Sequence, residues 1–161
     1  MKHFPEINEI KLLEKNSQKN GSGISYEELL GIWKFKYVWG KESDEIKNIS
    51  SSILQVLSAR LELISKNKED KINYEIKNSI NFGLLNITFS GCAELKGLRP
   101  ILAFYFEELK ISISNFLIFN MDLKKPDSKK MPFFSLIGIN TKDNWFCARG
   151  RGGGLAIWVK S

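Results

Sequence analysis

Few side chains of this sequence are of types that catalyse reactions, and their positions do not form a catalytic arrangement. The one histidine is His3, too near the first residue to be held against a serine or cysteine nucleophile. Cys147 has apolar neighbours, which disfavour the reactive thiolate. Glu107 and Glu108 are adjacent in a strand-like segment, so their side chains are expected on opposite faces of a sheet. The sequence predicts no catalytic residue, no metal site, no cofactor and no enzyme activity.

The two cysteines, Cys92 and Cys147, lack the short spacing of a metal-binding pair. Both lie in strand-like surroundings and are interpreted as reduced core residues rather than as part of a secreted disulfide scaffold. The first residues lack the apolar core of a signal peptide, and no run of 18 uncharged apolar residues predicts a membrane-spanning helix. A cytoplasmic location is expected.

Residues 149–154, Arg-Gly-Arg-Gly-Gly-Gly, allow three interpretations. RNA-binding Arg-Gly segments are repeated and disordered, whereas this one is a single copy between apolar runs, so nucleic-acid binding is not expected. A phosphate-binding loop would need a following helix, but residues 155–159 are typical of a strand. We therefore predict a wide glycine hairpin between the last two strands. Arg149 is predicted to pack over the tryptophan of the first strand in a closed barrel, or to bind a ligand head group.

Four aromatic residues recur with a period of two near the start: Trp33, Phe35, Tyr37 and Trp39. Strict alternation with polar residues is the pattern of a half-buried strand, so these four side chains are expected on one face. Four aromatic residues exceed what one strand of a small core usually needs. They are predicted to form a wall of an apolar ligand cavity, with plain core filling as the alternative.

The formal net charge of +6 favours contact with anionic surfaces. Part of the excess lies in a predicted loop around Pro126, in Lys124, Lys125, Lys129 and Lys130. These lysines are predicted to contact an anionic membrane surface, and a solvated loop is the alternative.

The elements that must position these residues are mainly short strands. Helical spacing of apolar residues predicts one helix over residues 6–15, followed by a polar connector over residues 16–23. Ser25 and Glu28 have the spacing of a capping box before a second short helix. Residues 41–52 are predicted to form a loop or irregular helix. Later strands are predicted at residues 57–63, 72–77, 85–89, 93–95, 101–106, 110–120, 132–139 and 145–159, with a bulge or corner at residues 90–91.

An apolar content of 43% in 161 residues is enough for a globular domain with a core. Regularly spaced strands with helix only near the start predict a mainly β protein, an antiparallel barrel of about eight to ten strands. We assign residues 1–24 to an N-terminal helix and connector, and residues 25–161 to a single barrel domain.

The two ends of that domain resemble one protein family. Residues 30–37, Leu-Gly-Ile-Trp-Lys-Phe-Lys-Tyr, are similar to the opening L-x-G-x-W-x-L-x-Y-T of the plastid-lipid-associated proteins, also called fibrillins or plastoglobulins. Residues 149–153 and the strand after them are similar to the closing R-G-x-x-G of that family. The chain departs from the family pattern at Val38, in place of threonine, and at Phe146, in place of an extra arginine.

This resemblance implies a lipocalin-like (calycin) barrel, carriage of lipophilic molecules, and peripheral association with photosynthetic membranes or lipid droplets. It implies no catalysis. The N-terminal residues do not look like a transit peptide, which suits a cyanobacterial member rather than a plastid one.

We therefore expect a noncatalytic protein that binds or carries a lipid, quinone, carotenoid or related pigment. Two alternatives remain open. One is a calycin-type lyase that attaches a bilin to phycobiliproteins, which needs an acid or nucleophile in the pocket. The other is a barrel filled by its own side chains that serves as a protein-interaction module. The sequence leaves the oligomeric state open.

Overall fold

The computed structural model describes residues 3–40, 60–67 and 69–161. The predicted loop or irregular helix at residues 41–52 and the first residues of the strand predicted at 57–63 lie outside this part of the chain.

The described chain contains two helices followed by strands. The helices are α1 (Ile7–Asn20) and α2 (Tyr26–Leu29). The strands are β1 (Gly31–Trp39), β2 (Arg60–Asn67), β3 (Asp70–Phe82), β4 (Leu85–Lys96), β5 (Ile101–Ile113), β6 (Phe116–Asp122), β7 (Phe133–Asn140), β8 (Trp145–Gly150) and β9 (Leu155–Lys160). Among the described helices, none combines the length and the apolar character needed to cross a bilayer.

The strands form one antiparallel sheet that closes into a barrel. The ring runs β1-β2-β3-β4-β5-β7-β8-β9, and β9 pairs with β1. In the described part of the chain, β6 pairs with β5 alone, so it is an edge strand outside the ring. The predicted mainly β, antiparallel barrel is confirmed.

Three strands continue beyond the ring. β2 pairs with β3 as far as Ser79, but β3 continues to Phe82 and turns into β4. The first residues of β5 pair with β7, and its second half pairs with β6. The β3–β4 hairpin and the β5–β6 hairpin therefore lie side by side. The Ser114 amide in the second turn donates a hydrogen bond to the Leu84 carbonyl oxygen in the first, at 2.7 Å. We call residues 80–89 and 109–121 the sheet extension.

Helix α2 closes the opposite end of the barrel. The predicted capping box is present, since the Ser25 amide donates to the Glu28 carboxylate at 2.8 Å. The Tyr26 ring stacks on the Tyr74 ring at 4.3 Å, and the Tyr74 hydroxyl donates to the Tyr26 carbonyl at 3.0 Å. These contacts hold α2 across the end of the barrel, so that end is filled by packed side chains.

Helix α1 packs on the outside of the barrel. It extends to Asn20, so the predicted helix over residues 6–15 is too short and the connector begins only at Gly21. Its apolar side covers β1, β7, β8 and β9 and forms a second core there. That core contains Ile10, Trp39, Ile137, Trp145, Cys147, Leu155 and Ile157.

A bulge in β1 changes which side chains face the interior. Phe35 pairs with Trp158, but Tyr37 pairs with Ile157, so Lys36 is an extra residue. An extra residue reverses the alternation beyond it. Trp33 and Phe35 therefore belong to the interior core, whereas Tyr37 and Trp39 belong to the core under α1. The prediction that all four aromatic residues share one face is wrong for this reason.

A second bulge lies at the predicted position, opposite Gly91. Ser90 pairs with Glu108 and Gly91 pairs with Phe106, so Glu107 is the extra residue, on β5. A Cβ atom at Gly91 would lie 2.1 Å from the Tyr105 carbonyl oxygen. Glycine is needed here because the two backbones approach so closely. The register shift falls at the predicted residues 90–91, but the extra residue is on the partner strand β5 and not on β4.

Candidate ligand-binding site

An apolar cavity of about 200 Å³ lies inside the barrel, on the side away from α2. Five of the residues around it are aromatic. The lining consists of Phe35, Arg60, Leu61, Ile76, Asn78, Phe104, Phe106, Phe134 and Trp158. The strands that supply these residues surround the interior, and the alternation of each strand turns its apolar side chains inward.

The aromatic rings of the lining contact one another. Phe104 stacks on Phe134 at 5.0 Å between ring centroids, and its ring lies 5.7 Å from Phe106. Phe134 meets Trp158 edge-on at 5.1 Å, and Phe35 meets Trp158 at 6.3 Å. Such a continuous wall offers rigid apolar surface to a ligand, because each ring is held by its neighbours.

Below this wall the interior is filled. The ring of Trp158 stacks on Phe146 at 4.9 Å, and Phe146 meets Trp33 edge-on at 4.7 Å. Trp33 and Phe146 are almost completely buried. The barrel thus has a packed end beside α2 and a cavity above it.

Two polar residues border the cavity. Asn78 follows Ile76 by two residues on β3 and pairs with Leu61, so it lies on the inward face. Arg60 is the first residue of β2, next to Leu61. Its guanidinium forms no ion pair with a carboxylate of the residues described. A few polar groups in an apolar cavity are what orients a bound small molecule.

Of the predicted ligand-binding residues, Phe35 borders this cavity. Trp33 lies in the packed end, and Tyr37 and Trp39 lie on the outer side under α1. The cation over the Trp33 ring is Lys160, with its Nζ 5.1 Å from the ring centroid. The last strand therefore supplies the predicted cation–π contact through a lysine instead of an arginine.

Arg149 lies on the outer side of the barrel and does not line the cavity. Its Nε and Nη2 donate to the two carboxylate oxygens of Glu14 on α1, both at 2.6 Å. It also donates to the Gly153 carbonyl oxygen. This ion pair lowers the pKa of Glu14, despite the burial of that carboxylate, and raises the pKa of Arg149. Arg149 thus connects β8 to α1 and to the turn between β8 and β9.

The predicted glycine hairpin between the last two strands is confirmed. The Gly150 amide donates to the Gly154 carbonyl oxygen at 2.9 Å, and β8 and β9 pair on either side of it. Gly153 has a φ of 88°, in the region that favours glycine.

Several lining residues were missed by the sequence analysis: Asn78, Phe104, Phe106, Phe134 and Trp158. The aromatic members stand in continuous apolar runs, where periodicity does not show which face is inward. Asn78 was missed because it lies among polar residues after Ile76, where the sequence does not indicate which of them faces inward. The pairing of each strand with its neighbours was needed to find them.

The predicted basic loop extends from residue 123 to residue 132, on the outer side of β5. All four of its lysines are exposed. The Lys125 Nζ lies 4.4 Å from the centroid of the Tyr105 ring. The Arg151 guanidinium donates to the carbonyl oxygens of Lys129 and of Met131, which ties the loop to the glycine hairpin. The backbone is therefore held while the ammonium groups remain in solvent.

The groups that could act as acids or nucleophiles lie elsewhere. None of the described residues lining the cavity is a histidine, cysteine, aspartate or glutamate. Cys92 is on the outer face of β4, where the Lys66 ammonium lies 3.4 Å from its Sγ. Cys147 is buried under α1, and this burial raises the pKa of its thiol to about 12. Within the described ranges, no cluster of three metal-ligating residues occurs.

Comparison of the chain with models of protein families, with characterised proteins and with solved structures finds no match. The likeness to the plastid-lipid-associated proteins therefore remains an expectation from two short motifs.

Proposed function

We propose that this chain is a noncatalytic binding protein that holds or carries a lipophilic small molecule. The observation that supports this proposal is the interior cavity with five aromatic side chains and two polar residues in its lining. Apolar surface of this kind favours a ligand that is poorly hydrated in water. The motifs shared with the plastid-lipid-associated proteins point to the same class of ligand.

The cavity volume limits what can be enclosed. About 200 Å³ is smaller than the roughly 300–1,000 Å³ of pockets that bury drug-sized molecules. It suits one ring or a short chain segment, such as the head of a quinone or the end of an acyl chain. A long isoprenoid or carotenoid is too large to be enclosed completely. Asn78 is placed to contact a carbonyl or carboxylate at the polar end of such a ligand.

The identity of the ligand is tested by extraction. The protein is purified from a photosynthetic host and extracted with organic solvent, and the extract is analysed by mass spectrometry. A stoichiometric lipid, quinone or carotenoid supports the proposal. A bilin favours the lyase, and a protein without cargo favours the filled-core interaction module.

The site is tested by blocking it. Phe106→Trp adds volume inside the cavity, and we expect at least tenfold weaker binding of the fluorescent polyene cis-parinaric acid, or about 1.4 kcal/mol. Tyr37→Trp is the matched control, because the same side chain is added on the outer side of β1. Equal affinities for both variants, or no binding by the unmodified protein, would contradict the proposal.

The structure gives less support to the two alternatives, the bilin lyase and the filled-core interaction module. A lyase needs a positioned acid or nucleophile, and the described lining residues offer none. A filled barrel agrees with the packing of Trp33 and Phe146 at the closed end, but not with the cavity above them.

We also propose that the exposed lysines Lys124, Lys125, Lys129 and Lys130 contact an anionic membrane surface. Each basic residue near such a surface contributes about 1 kcal/mol. Together with the resemblance to the plastid-lipid-associated proteins, this contact leads us to propose a cytoplasmic location, peripheral to a thylakoid membrane or lipid droplet.

A further inference from the structure

The sheet extension exposes an apolar surface that the proposed cavity does not use. Its members lie on the two adjacent hairpin tips and along β6. They are Phe82, Leu84, Ile113, Phe116, Leu117, Ile118, Phe119 and Met121, exposed by 43 to 76%. Exposed apolar side chains concentrated in one region mark a place where another molecule docks.

The edge strand β6 is the centre of this surface. All seven of its residues are exposed, and its second edge has no strand partner among the residues described. Exposed edges are usually protected by lysine, proline or inward-pointing charges. Residues 111–121 contain no charged residue and no proline. As far as the described residues show, this edge is therefore unprotected against pairing with another strand.

A bilayer does not fit this edge. Open sheet edges do not occur in the hydrocarbon region of a membrane, because their amide and carbonyl groups would lose water without gaining partners. A second β-strand, in contrast, supplies those partners and covers the side chains as well. A protein strand therefore fits this edge better than a bilayer does.

The charge distribution favours a second copy of the same chain. The net charge of +6 makes most surfaces of two copies repel each other, but residues 78–89 and 111–121 are uncharged. In an antiparallel pair that places Asp122 opposite Phe116, the two aspartates lie roughly 20 Å apart, at about 3.4 Å per residue. That separation exceeds the screening length of about 8 Å at physiological salt.

β6 itself also offers apolar area. Phe116 and Phe119 are exposed by 76 and 46%. Together they offer roughly 180–300 Å², if a buried aromatic side chain contributes about 150–250 Å². Leu117, Ile118 and Met121 of β6 add to this area. The total stays below the roughly 800 Å² that each partner contributes to a standard interface, so backbone hydrogen bonds between the paired strands carry much of the affinity.

We propose that two copies of this chain dimerise through antiparallel pairing of β6 with β6. The pairing is isologous, since a two-fold axis brings the same strand from each copy together. It extends the sheet from one barrel into the other. The dimer is independent of the cavity and of what the cavity holds.

The test compares molar masses by sedimentation equilibrium over 1 to 200 µM protein. Leu117→Lys with Ile118→Lys places two charges on the edge strand, at side chains exposed by more than half. We expect twice the monomer mass of 18.5 kDa for the unmodified chain and the monomer mass for this variant. The control is Leu12→Lys with Leu98→Lys, at exposed apolar side chains on α1 and in the β4–β5 turn, and it should remain dimeric.

Amide hydrogen exchange gives a second readout. In the dimer, amides on the free edge of β6 exchange more slowly as the protein concentration rises, and the edge variant loses this effect. A monomeric unmodified chain over the whole range would overturn the proposal. A dimer that persists in the edge variant would overturn it too, since the interface then lies elsewhere. A monomer that binds lipid vesicles through the hairpin tips would also overturn the proposed dimer. If a monomeric chain binds cis-parinaric acid, the dimer proposal fails but the proposed cavity function does not.

Discussion

At the scale of single residues, the most informative contact is the ion pair between Glu14 and Arg149. Both nitrogens of the guanidinium edge reach the carboxylate, which is the geometry of a strong, charge-assisted pair. The Glu14 side chain is 10% exposed and that of Arg149 is 29% exposed. The pair fixes α1 on the barrel, so the arginine that resembles a family motif has a structural role here.

Glu14→Gln is expected to lower the free energy of unfolding by about 2 kcal/mol at pH 7, because hydrogen bonds to charged groups contribute about 1.5–3 kcal/mol. Urea unfolding followed by tryptophan fluorescence measures the change. Glu69→Gln, at an exposed turn, is the control and should be neutral. A loss of less than 0.5 kcal/mol in Glu14→Gln would contradict the role of the pair.

The same pair predicts a pH dependence. The Arg149 guanidinium holds the pKa of Glu14 below its ordinary value of 4.5. Stabilisation by a carboxylate with a lowered folded-state pKa is complete above the unfolded-state pKa and disappears as pH falls through the folded-state pKa. The stability difference between the unmodified chain and Glu14→Gln should therefore be constant from pH 7 to about pH 5 and shrink below pH 4.5. A difference that grows on acidification would refute this.

At the scale of elements, the bulge in β1 separates two roles that the sequence assigned to one face. Phe35 borders the cavity, whereas Trp39 is buried under α1 at 4% exposure. Each aromatic residue should respond to substitution according to its side of the sheet.

Trp39→Ala should destabilise the fold by about 3–5 kcal/mol, because it leaves a cavity between α1 and the barrel. Its affinity for cis-parinaric acid should stay within twofold, measured where the variant is folded. Phe35→Ala should weaken that binding by more than fivefold with a smaller loss of stability. Chemical denaturation and fluorescence titration separate the two effects, and a reversed pattern would show that the faces are assigned wrongly.

The bulge on β5 gives a second prediction at this scale. Gly91→Ala should lower stability by about 1–3 kcal/mol, since its Cβ would meet the Tyr105 carbonyl oxygen at 2.1 Å and force the strands apart. Gly152→Ala is the matched control, because nothing lies within 4 Å of a Cβ there. Thermal unfolding of both variants decides the matter, and equal midpoints would contradict the close approach.

At the scale of the whole molecule, the three proposed binding sites lie on different parts of the barrel. The cavity lies inside the ring, the basic loop lies outside β5, and the hairpin tips project beyond the ring. A ligand, an anionic surface and a second copy can therefore be bound without competing for the same residues.

The basic loop is tested by vesicle flotation with 30% anionic lipid. Replacing Lys124, Lys125, Lys129 and Lys130 by glutamine should abolish flotation at 0.1 M salt, as should 0.5 M salt with the unmodified chain. Replacing Lys15, Lys19, Lys34 and Lys142, which are also exposed, removes the same charge and should have a smaller effect. Equal losses of flotation in both variants would show that membrane binding depends on net charge and not on the basic loop.

Much of this architecture could be predicted from local patterns. Alternating strands, the capping box at Ser25 and Glu28, and the glycine hairpin each depend on residues close together in the chain. Local sterics and hydrogen bonding fix such features, so they can be identified without knowing the rest of the fold. The mainly β class and the antiparallel barrel followed from their number and spacing.

Only the tertiary structure decided what surrounds the cavity. The extra residue at Lys36 reverses the alternation of β1, and no local signal in the sequence distinguishes it from its neighbours. The side chains of continuous apolar runs, such as residues 101–106 of β5 and 155–159 of β9, face inward or outward according to the register of the partner strands. The same holds for Arg149, whose partner Glu14 lies 135 residues away. Such long-range pairing depends on the packing of the whole chain, because each strand is positioned by neighbours that are distant in sequence.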